Sequence, residues 1–551
     1  MEADRKRIFI FLFIVNLIFL REGFFTNDEG ADYLLIKSIS ENFPHFLNLS
    51  QYIKMHIGYG PYYSFFHYNG GIHAATYMGF PLLASPFYSL FGMIGIELFN
   101  VLATIFTAYI VFLIVNHLYG KKYAIIGAVL YTFITPSLFY SSSLWYQPAV
   151  TLFFAIFGLQ FFKLKDNPRN VLLLSLSGAF TVLCSYYMIV PVSIAIVFIL
   201  FKLPARLKFI SIASFTFFLI PAFVYNYANF GSPLLGKYGI PAVVYAVAGY
   251  STPAGTGLFH EINRTIAGLV KLLISANSSY TYSFAQKALF QSSPVLALGF
   301  LYPLMKRNYR FSAFFITNLV LILMVAYSGG DFGGWELNMR YIMPVFPFLV
   351  VYLIGFLNKF KINFSIKLLC TILFFETLLL LLFPIGIYSR NYFLMKLIAS
   401  FTGLALLFTS IMFSRVNRNI LKAVIITAII FSAFININDA SYGASYRSAD
   451  SFIVNSLNLN NEKVVFPSGT PLGGLFLPEK LVYVYKNDTD IQKFLKGNLT
   501  AVVKKDFNSY GECKVTHTGY FNNFYYYGVR VKNLKKTIEY LDNYKIVNLN
   551  C

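Results

Sequence analysis

Acidic residues are scarce: Asp and Glu together number 23 in 551 residues, against 44 Lys and Arg. Charged residues of both signs make up 12% of the chain, whereas a soluble domain carries about a quarter. That deficit excludes an ordinary water-soluble enzyme. With 57% hydrophobic residues and a mean hydropathy of +0.61, the chain reads as one that crosses a bilayer many times. Cysteine is limited to four residues, too few for a scaffold built on disulfides. Cys184 and Cys370 fall in apolar runs, while Cys513 and Cys551 fall in a polar tail and can pair if that tail lies outside the cytosol. There is no internal repeat and no low-complexity run. The start, MEADRKRIFIFLFIVNLIFL, has the charge and apolar core of a signal peptide. The following REGFF offers no small-residue cleavage site, so an uncleaved first span is expected.

A span needs about 20 apolar residues, which predicts about 13 spans. They fall near 8–25, 94–118, 123–143, 145–162, 170–185, 186–203, 208–226, 293–305, 311–328, 341–357, 366–387, 392–413 and 419–436. A net charge of +21 in a soluble protein would suggest nucleic acid, but its placement argues against that partner. Cations gather at alternate span ends: Arg5 to Arg7, Lys121 and Lys122, Lys163 to Arg169, Lys202 to Lys208, Lys306 to Arg310, Lys359 to Lys367 and Arg415 to Lys422. The positive-inside rule places these ends, and the N-terminus, in the cytoplasm of a multi-pass plasma-membrane protein. The opposite face then receives the loops 26–93, 227–292 and 329–340 and a tail, 437–551. Sequons at Asn48, Asn277, Asn487 and Asn498 lie on that face and one at Asn363 does not, which is weak support. The expected architecture is a polytopic all-α membrane domain over 1–436, followed by a small extracytosolic α/β domain. Its strands are EKVVFPSG, KLVYVYK and FYYYGVRVK, and its helices TDIQKFLKG and NLKKTIEYLDNY.

The first outer loop carries the most chemistry. In FFTNDEGADYLLIKS (24–38), Thr26 and Glu29 match a capping box. Behind them Ala31, Leu34, Leu35 and Ile39 form an apolar face suited to the membrane interface. A helix cap explains Glu29 more fully than Asp28. A carboxylate at a helix N-terminus is held ionised by the dipole, as a general base or metal ligand requires. The spacing of His45, His56, His67 and His73 fits no compact zinc motif. His73 and Lys54 are candidates to bind substrate. The run from Tyr59 to Gly92 mixes aromatics with Gly and Pro and reads as irregular backbone re-entering the interface. In the third loop, SGGDFGGWELNMRYIMPVFP, the candidate substrate or phosphate ligands are Asp331, Glu336, Arg340 and Tyr341. Arg340 fits an interfacial anchor, and its guanidinium fork equally suits a lipid-borne phosphate. The second loop contributes an amphipathic stretch around TGLFHEINRTIAGLVKLLISANSS.

Taken in order, several segments resemble landmarks of the GT-C glycosyltransferases. These are the acidic pair after span one, GFPLLASPFYSLFG before span two, TPSLFYSSSLWYQP, NYANFGSPLLGKYG, SSPVLALGFLYPL and GGWELNMRYIMPVFP. The resemblance covers 8–436 and is nearest to the polyprenyl-phosphate-sugar-dependent branch of protein mannosyltransferases and ArnT-like enzymes. It implies inverting transfer of a sugar from a polyprenyl-phosphate carrier to a hydroxyl of a protein, lipid or glycan acceptor at the extracytosolic face. By position Asp28 matches the first-loop aspartate that acts as base, acceptor ligand or metal ligand. Glu29 matches its acidic catalytic neighbour, and Arg340 the cation near the carrier phosphate. Two features depart from the pattern. Many relatives carry an acid after span three, where SSSLWYQP offers only Gln147, and Asn338 and Met339 replace the usual small residues. The first departure leaves the second carboxylate, and a divalent metal held by Asp28, open.

Other function classes predict different residues. A flippase of lipid-linked sugars should carry ionisable groups at mid-membrane, and Glu97 and Glu376 are the main ones inside the expected spans. An oligosaccharyltransferase should carry Trp-Trp-Asp, whereas Trp145 and Trp335 stand alone.

Overall fold

The computed structural model describes residues 2–24, 27–51, 65–74, 76–164, 167–231, 258–275, 286–300, 302–306, 308–327, 339–362, 365–385, 389–411, 418–456, 463–467, 481–485, 497–504, 506–520, 525–526, 529–530 and 544–551. Every expected span has its residues largely on helix: α1 (Glu2–Ile18), α2 (Asn27–Asn42), α3 (Gly79–Tyr119), α4 (Lys121–Ile134), α5 (Ser137–Ser141), α6 (Gln147–Lys163), α7 (Pro168–Cys184), α8 (Ile189–Leu200) and α9 (Ala205–Phe230). There follow α10 (Leu258–Leu273), α11 (Leu289–Ser292), α12 (Leu296–Phe300), α13 (Tyr302–Met305), α14 (Tyr309–Tyr327), α15 (Phe346–Lys359), α16 (Ile366–Leu382), α17 (Arg390–Ile411) and α18 (Arg418–Ser456). Among the described residues, 6 helices are long and apolar enough to cross a membrane. The other expected spans form shorter helices, several broken by a turn, so the count of about 13 full crossings is not reproduced.

The bundle is held by aromatic and aliphatic side chains at close range. Phe314 meets Phe348 at 4.4 Å between ring centroids, and Phe154 lies 5.5 Å from Phe314 and 5.3 Å from Phe348. This column joins α6, α14 and α15 through one stacked, one edge-on and one tilted pair. The lipid side is equally legible. Leu368, Phe375, Leu379 and Leu382 are exposed and fall on one face of α16, as Phe209, Phe217, Ile220 and Val224 do on α9. Apolar exposure on that scale fits a hydrocarbon surround. At one expected cytoplasmic end, Arg310 donates to the carbonyls of Phe162 and Leu164, at 2.8 and 3.1 Å. A cation at a helix C-terminus satisfies carbonyls that have no helical partner.

Two stretches differ from expectation. The run read as irregular backbone contains an antiparallel hairpin, β1 (Phe65–Tyr68) with β2 (Gly71–Ala74), and then enters α3 at Gly79. Pro81 is tolerated because it sits in the first turn, where amides have no helical acceptor. The break comes later, at Gly92, whose φ of 63° ends one helix and starts the next. The helix expected to lie along the interface, α2, is instead buried from Glu29 to Ile39 on every side, because β2 and α3 cover its outer face.

Beyond α18, which continues to Ser456, the C-terminal part forms a five-stranded sheet in the order β4-β3-β5-β9-β6. Its strands are β3 (Lys463–Pro467), β4 (Leu481–Tyr485), β5 (Asn498–Lys504), β6 (Lys514–Tyr520) and β9 (Tyr544–Asn550); β7 (Tyr525–Tyr526) and β8 (Val529–Arg530) form a small separate ladder. β3 runs parallel to β4 and β5, and β9 antiparallel to β5 and β6. Leu499, Ala501 and Val503 alternate along β5 and face Val465, Val547 and Leu549 in one core. Cys513 and Cys551 form a disulfide one residue beyond the Lys514–Asn550 pair, closing the ends of β6 and β9. The expected helices TDIQKFLKG and NLKKTIEYLDNY lie almost wholly outside the described residues.

Candidate active site

Three segments that interrupt helices supply the site. The chain between α5 and α6 carries Trp145 and Tyr146. The single turn Tyr186–Met188 interrupts the passage from α7 to α8, and the turn Arg340–Val345 leads into α15. Prolines help set these breaks: Pro148 and Pro347 occupy the first turns of α6 and α15, where a missing amide costs least.

Arg340 is buried, 8% exposed. Its guanidinium carbon lies 5.6 Å from the ring of Trp145 and 5.1 Å from that of Tyr341, and Nη2 donates to the Tyr341 hydroxyl at 3.3 Å. Aromatic faces attract a guanidinium without neutralising it. Tyr341 in turn packs edge-on against Tyr187 at 5.4 Å. Tyr77 meets Tyr146 and Tyr186 edge-on, both at 5.0 Å, and lies within electrostatic reach of both Arg340 and Asp32. Burial pushes its hydroxyl above the usual tyrosine range, so it remains a neutral donor. Gln147, the residue nearest the expected second acid, is fully buried, and neither end of its amide has a hydrogen-bond partner among the described residues. Unsatisfied buried amides are uncommon and mark strain or a missing ligand.

On the other flank, α2 presents Asp32, which accepts from the Thr76 hydroxyl. Tyr225 donates to the Thr76 carbonyl at 3.1 Å. One turn on, Asn229 Nδ2 donates to the Ala74 carbonyl at 3.1 Å. That carbonyl can only accept, so the amide orientation of Asn229 is set. Its Oδ1 therefore faces His73 Nδ1 at 2.7 Å, so Nδ1 carries a proton and donates.

Of the expected site residues, His73, Arg340 and Tyr341 thus belong to these two groups of packed side chains. Asp28 lies in the first turn of α2, one turn before Asp32; its side chain is not among those described. Glu29 points inward, fully buried, accepting from the Leu144 amide at 3.0 Å and standing 3.7 Å from Arg447 Nη2. Lys54, Asp331 and Glu336 lie outside the described residues. Among the described residues no three His, Cys, Asp or Glu side chains gather around one point that could hold a metal ion.

Sequence reasoning passed over Asp32, Tyr77 and Arg447. Asp32 had a signal, its i+4 spacing from Asp28 on one helix. Arg447 had none, since the tail was expected to leave the membrane at 437. A second buried polar cluster was also missed. Lys287 Nζ is bonded to Asp439 and to the Tyr392 hydroxyl (2.6 Å), with Lys287 and Asp439 fully buried.

No protein-family model matches the sequence, and no curated protein does. Solved structures do. The crystal structure of ArnT from Cupriavidus metallidurans bound to undecaprenyl phosphate aligns with a TM-score of 0.58 at 11% identity, covering 100% of this chain and 98% of that one. The same enzyme in its apo state gives 0.55 at 10% identity, over 99% and 98%. The archaeal oligosaccharyltransferase AglB from Archaeoglobus fulgidus, in complex with an inhibitory peptide and a dolichol-phosphate, gives 0.50 at 12% identity, over 90% and 69%. The chain has the GT-C fold of these membrane glycosyltransferases, from end to end in the case of ArnT.

Proposed function

We propose that the protein transfers a sugar from a polyprenyl-phosphate carrier to an acceptor hydroxyl at the extracytosolic membrane surface, with inversion at the anomeric carbon. The observation that carries this is a buried cation and a buried carboxylate, Arg340 and Asp32, both within electrostatic reach of Tyr77 among packed aromatic side chains. Aromatic side chains suit a sugar, and a guanidinium suits a phosphate. The whole-length likeness to a protein solved with undecaprenyl phosphate supports the same substrate class.

The chemistry asks little of the protein. The carrier phosphate is already a good leaving group and needs no general acid. Asp28 takes the proton of the acceptor hydroxyl as its oxygen attacks the anomeric carbon. The glycosyl–phosphate bond breaks on the opposite face, and Arg340 balances the charge that collects on the phosphate. Tyr77 and His73 orient the reacting groups. Should a divalent ion take part, Asp28 and Asp32, one helical turn apart, are the carboxylates to hold it. Its contribution would be to polarise the phosphate.

The flippase alternative draws on one observation, the ion pair of Lys287 with Asp439 beside Tyr392 and Lys396, since buried charges can mark a transport path. Incubating purified protein in detergent with labelled polyprenyl-phosphate sugars and acceptor separates the two. A transferase forms product without a sealed bilayer, whereas a flippase has nothing to move across.

A further inference from the structure

We infer that Glu29 and Arg447 are positioning residues. Their buried ion pair holds the segment 142–146 so that Trp145 and Tyr146 are set against Arg340 and Tyr77. The kinetic part of this inference rests on the proposed transfer reaction; the structural part does not.

The segment joins α5 to α6 without a helix of its own, so its backbone groups must find partners elsewhere. Two distant helices provide partners for the backbone, and a third holds a side chain of the segment. Asn100 of α3 donates through Nδ2 to the carbonyls of Ser143 and Trp145, at 2.7 and 2.9 Å. Glu29 of α2 accepts from the Leu144 amide at 3.0 Å, and Arg447 of α18 donates through Nη1 to the Ser142 hydroxyl at 3.0 Å. The last two groups face each other at 3.7 Å with no exposure on either side. Consecutive residues of the held segment then meet the site: Trp145 lies under Arg340 at 5.6 Å and Tyr146 against Tyr77 at 5.0 Å.

The contacts favour positioning over simple core filling. A buried ion pair seldom adds stability over an apolar pair of the same shape, whereas both side chains of this one bond the held segment. The chain is also tight where α18 passes the link from α1 to α2: Gly23 has a φ of 125°, and a Cβ there would stand 2.3 Å from the backbone carbonyl oxygen of Arg447, so only glycine fits. Arg447 also lies 5.8 Å from the ring of Phe139 on α5, the helix that leads into the held segment.

The test uses the full-length protein carrying Trp335→Phe, which leaves Trp145 as the one tryptophan. Acrylamide quenching of Trp145 is compared for Glu29→Gln, for the double variant Glu29→Leu/Arg447→Met, and for Lys287→Met, which breaks an equally buried pair elsewhere. Glu29→Gln keeps an acceptor for Leu144 but loses the charge, and is expected to raise quenching about twofold. The double variant removes both buried charges. Because buried Glu97 also lies within electrostatic reach of Arg447, it is expected to regain only part of the thermal stability, to keep Trp145 accessible and, in the transfer assay, to keep a kcat lowered by about tenfold or more with KM little changed. Lys287→Met is expected to lose stability and leave Trp145 shielded. If the double variant recovers wild-type shielding with its stability, or if Lys287→Met exposes Trp145 as much as Glu29→Gln does, the inference is wrong. Absence of transfer by the wild type would overturn the proposed function and leave the Trp145 comparison to decide this inference.

Discussion

Replacing Asp439 by Asn isolates the cost of one buried charge. In the native protein the Lys287 ammonium is bonded to the Asp439 carboxylate and the Tyr392 hydroxyl, and that hydroxyl also donates to Asp439 Oδ1 at 3.3 Å. Lys287 and Asp439 are both fully buried, and Lys396 stands within electrostatic reach of both. The Asn variant leaves Lys287 with neutral partners alone, the Tyr392 hydroxyl and the new amide, and with Lys396 nearby. Breaking one side of such a pair costs about 3–5 kcal/mol. The double variant Lys287→Met/Asp439→Leu removes both charges at similar volume and should lie within about 1–2 kcal/mol of wild type, on either side. Unfolding in mixed micelles with increasing SDS, followed by intrinsic fluorescence, gives both values. Lys396→Met in the Asp439→Asn background should recover part of the loss by removing like-charge repulsion. A cost below about 1 kcal/mol for Asp439→Asn would refute the reasoning, because it would mean that water reaches the pair.

Three further outcomes follow from other parts of the molecule. Reducing the Cys513–Cys551 bridge, which closes 38 residues of sequence separation, should destabilise the C-terminal sheet by about 4 kcal/mol on the chain-entropy estimate. Limited proteolysis with and without reductant reads this as faster cleavage between β6 and β9. Gly299→Ala would place a Cβ 2.5 Å from the Leu353 amide nitrogen of α15. Because that neighbour is backbone, about 1–3 kcal/mol of overpacking is expected, seen as a lower unfolding midpoint. Arg340→Lys keeps the charge but loses the planar fork lying over Trp145. Transfer efficiency should fall by roughly tenfold or more while the unfolding midpoint changes little.

The membrane helices were largely legible from hydropathy, as were the runs that form β3 and β4; the third expected strand, FYYYGVRVK, holds only the short β7 and β8, and β5, β6 and β9 were not foreseen. What escaped notice shares one physical cause. Hydropathy treats a polar residue as facing water, whereas Asn436, Asn438, Asp439, Ser441 and Arg447 are all buried in the protein interior along α18. Their polarity ended the expected last span at 436, and the helix in fact runs to Ser456. Glu29 was open to the same ambiguity. Its local sequence explains it as a cap, but only the fold brings it to Leu144, over a separation of 115 residues, and to Arg447. Asp28 and Arg340 were singled out by motif order, not by local pattern; of the two, the described side chain is that of Arg340, beside Trp145 and Tyr341. The tyrosines could not be singled out from composition, since 41 of them are spread along the chain. Their grouping depends on three helix breaks far apart in sequence.

The central claim is that a sugar leaves a polyprenyl phosphate at this site with Asp28 as the base. It is tested most directly by incubating purified wild type and Asp28→Asn with labelled polyprenyl-phosphate sugars and acceptor, after confirming that both unfold at the same midpoint. The account predicts product from the wild type, with the opposite anomeric configuration to the donor, and a rate lower by about a hundredfold or more for Asp28→Asn. Full activity in the Asn variant, or no product from the wild type with any such donor, would contradict it.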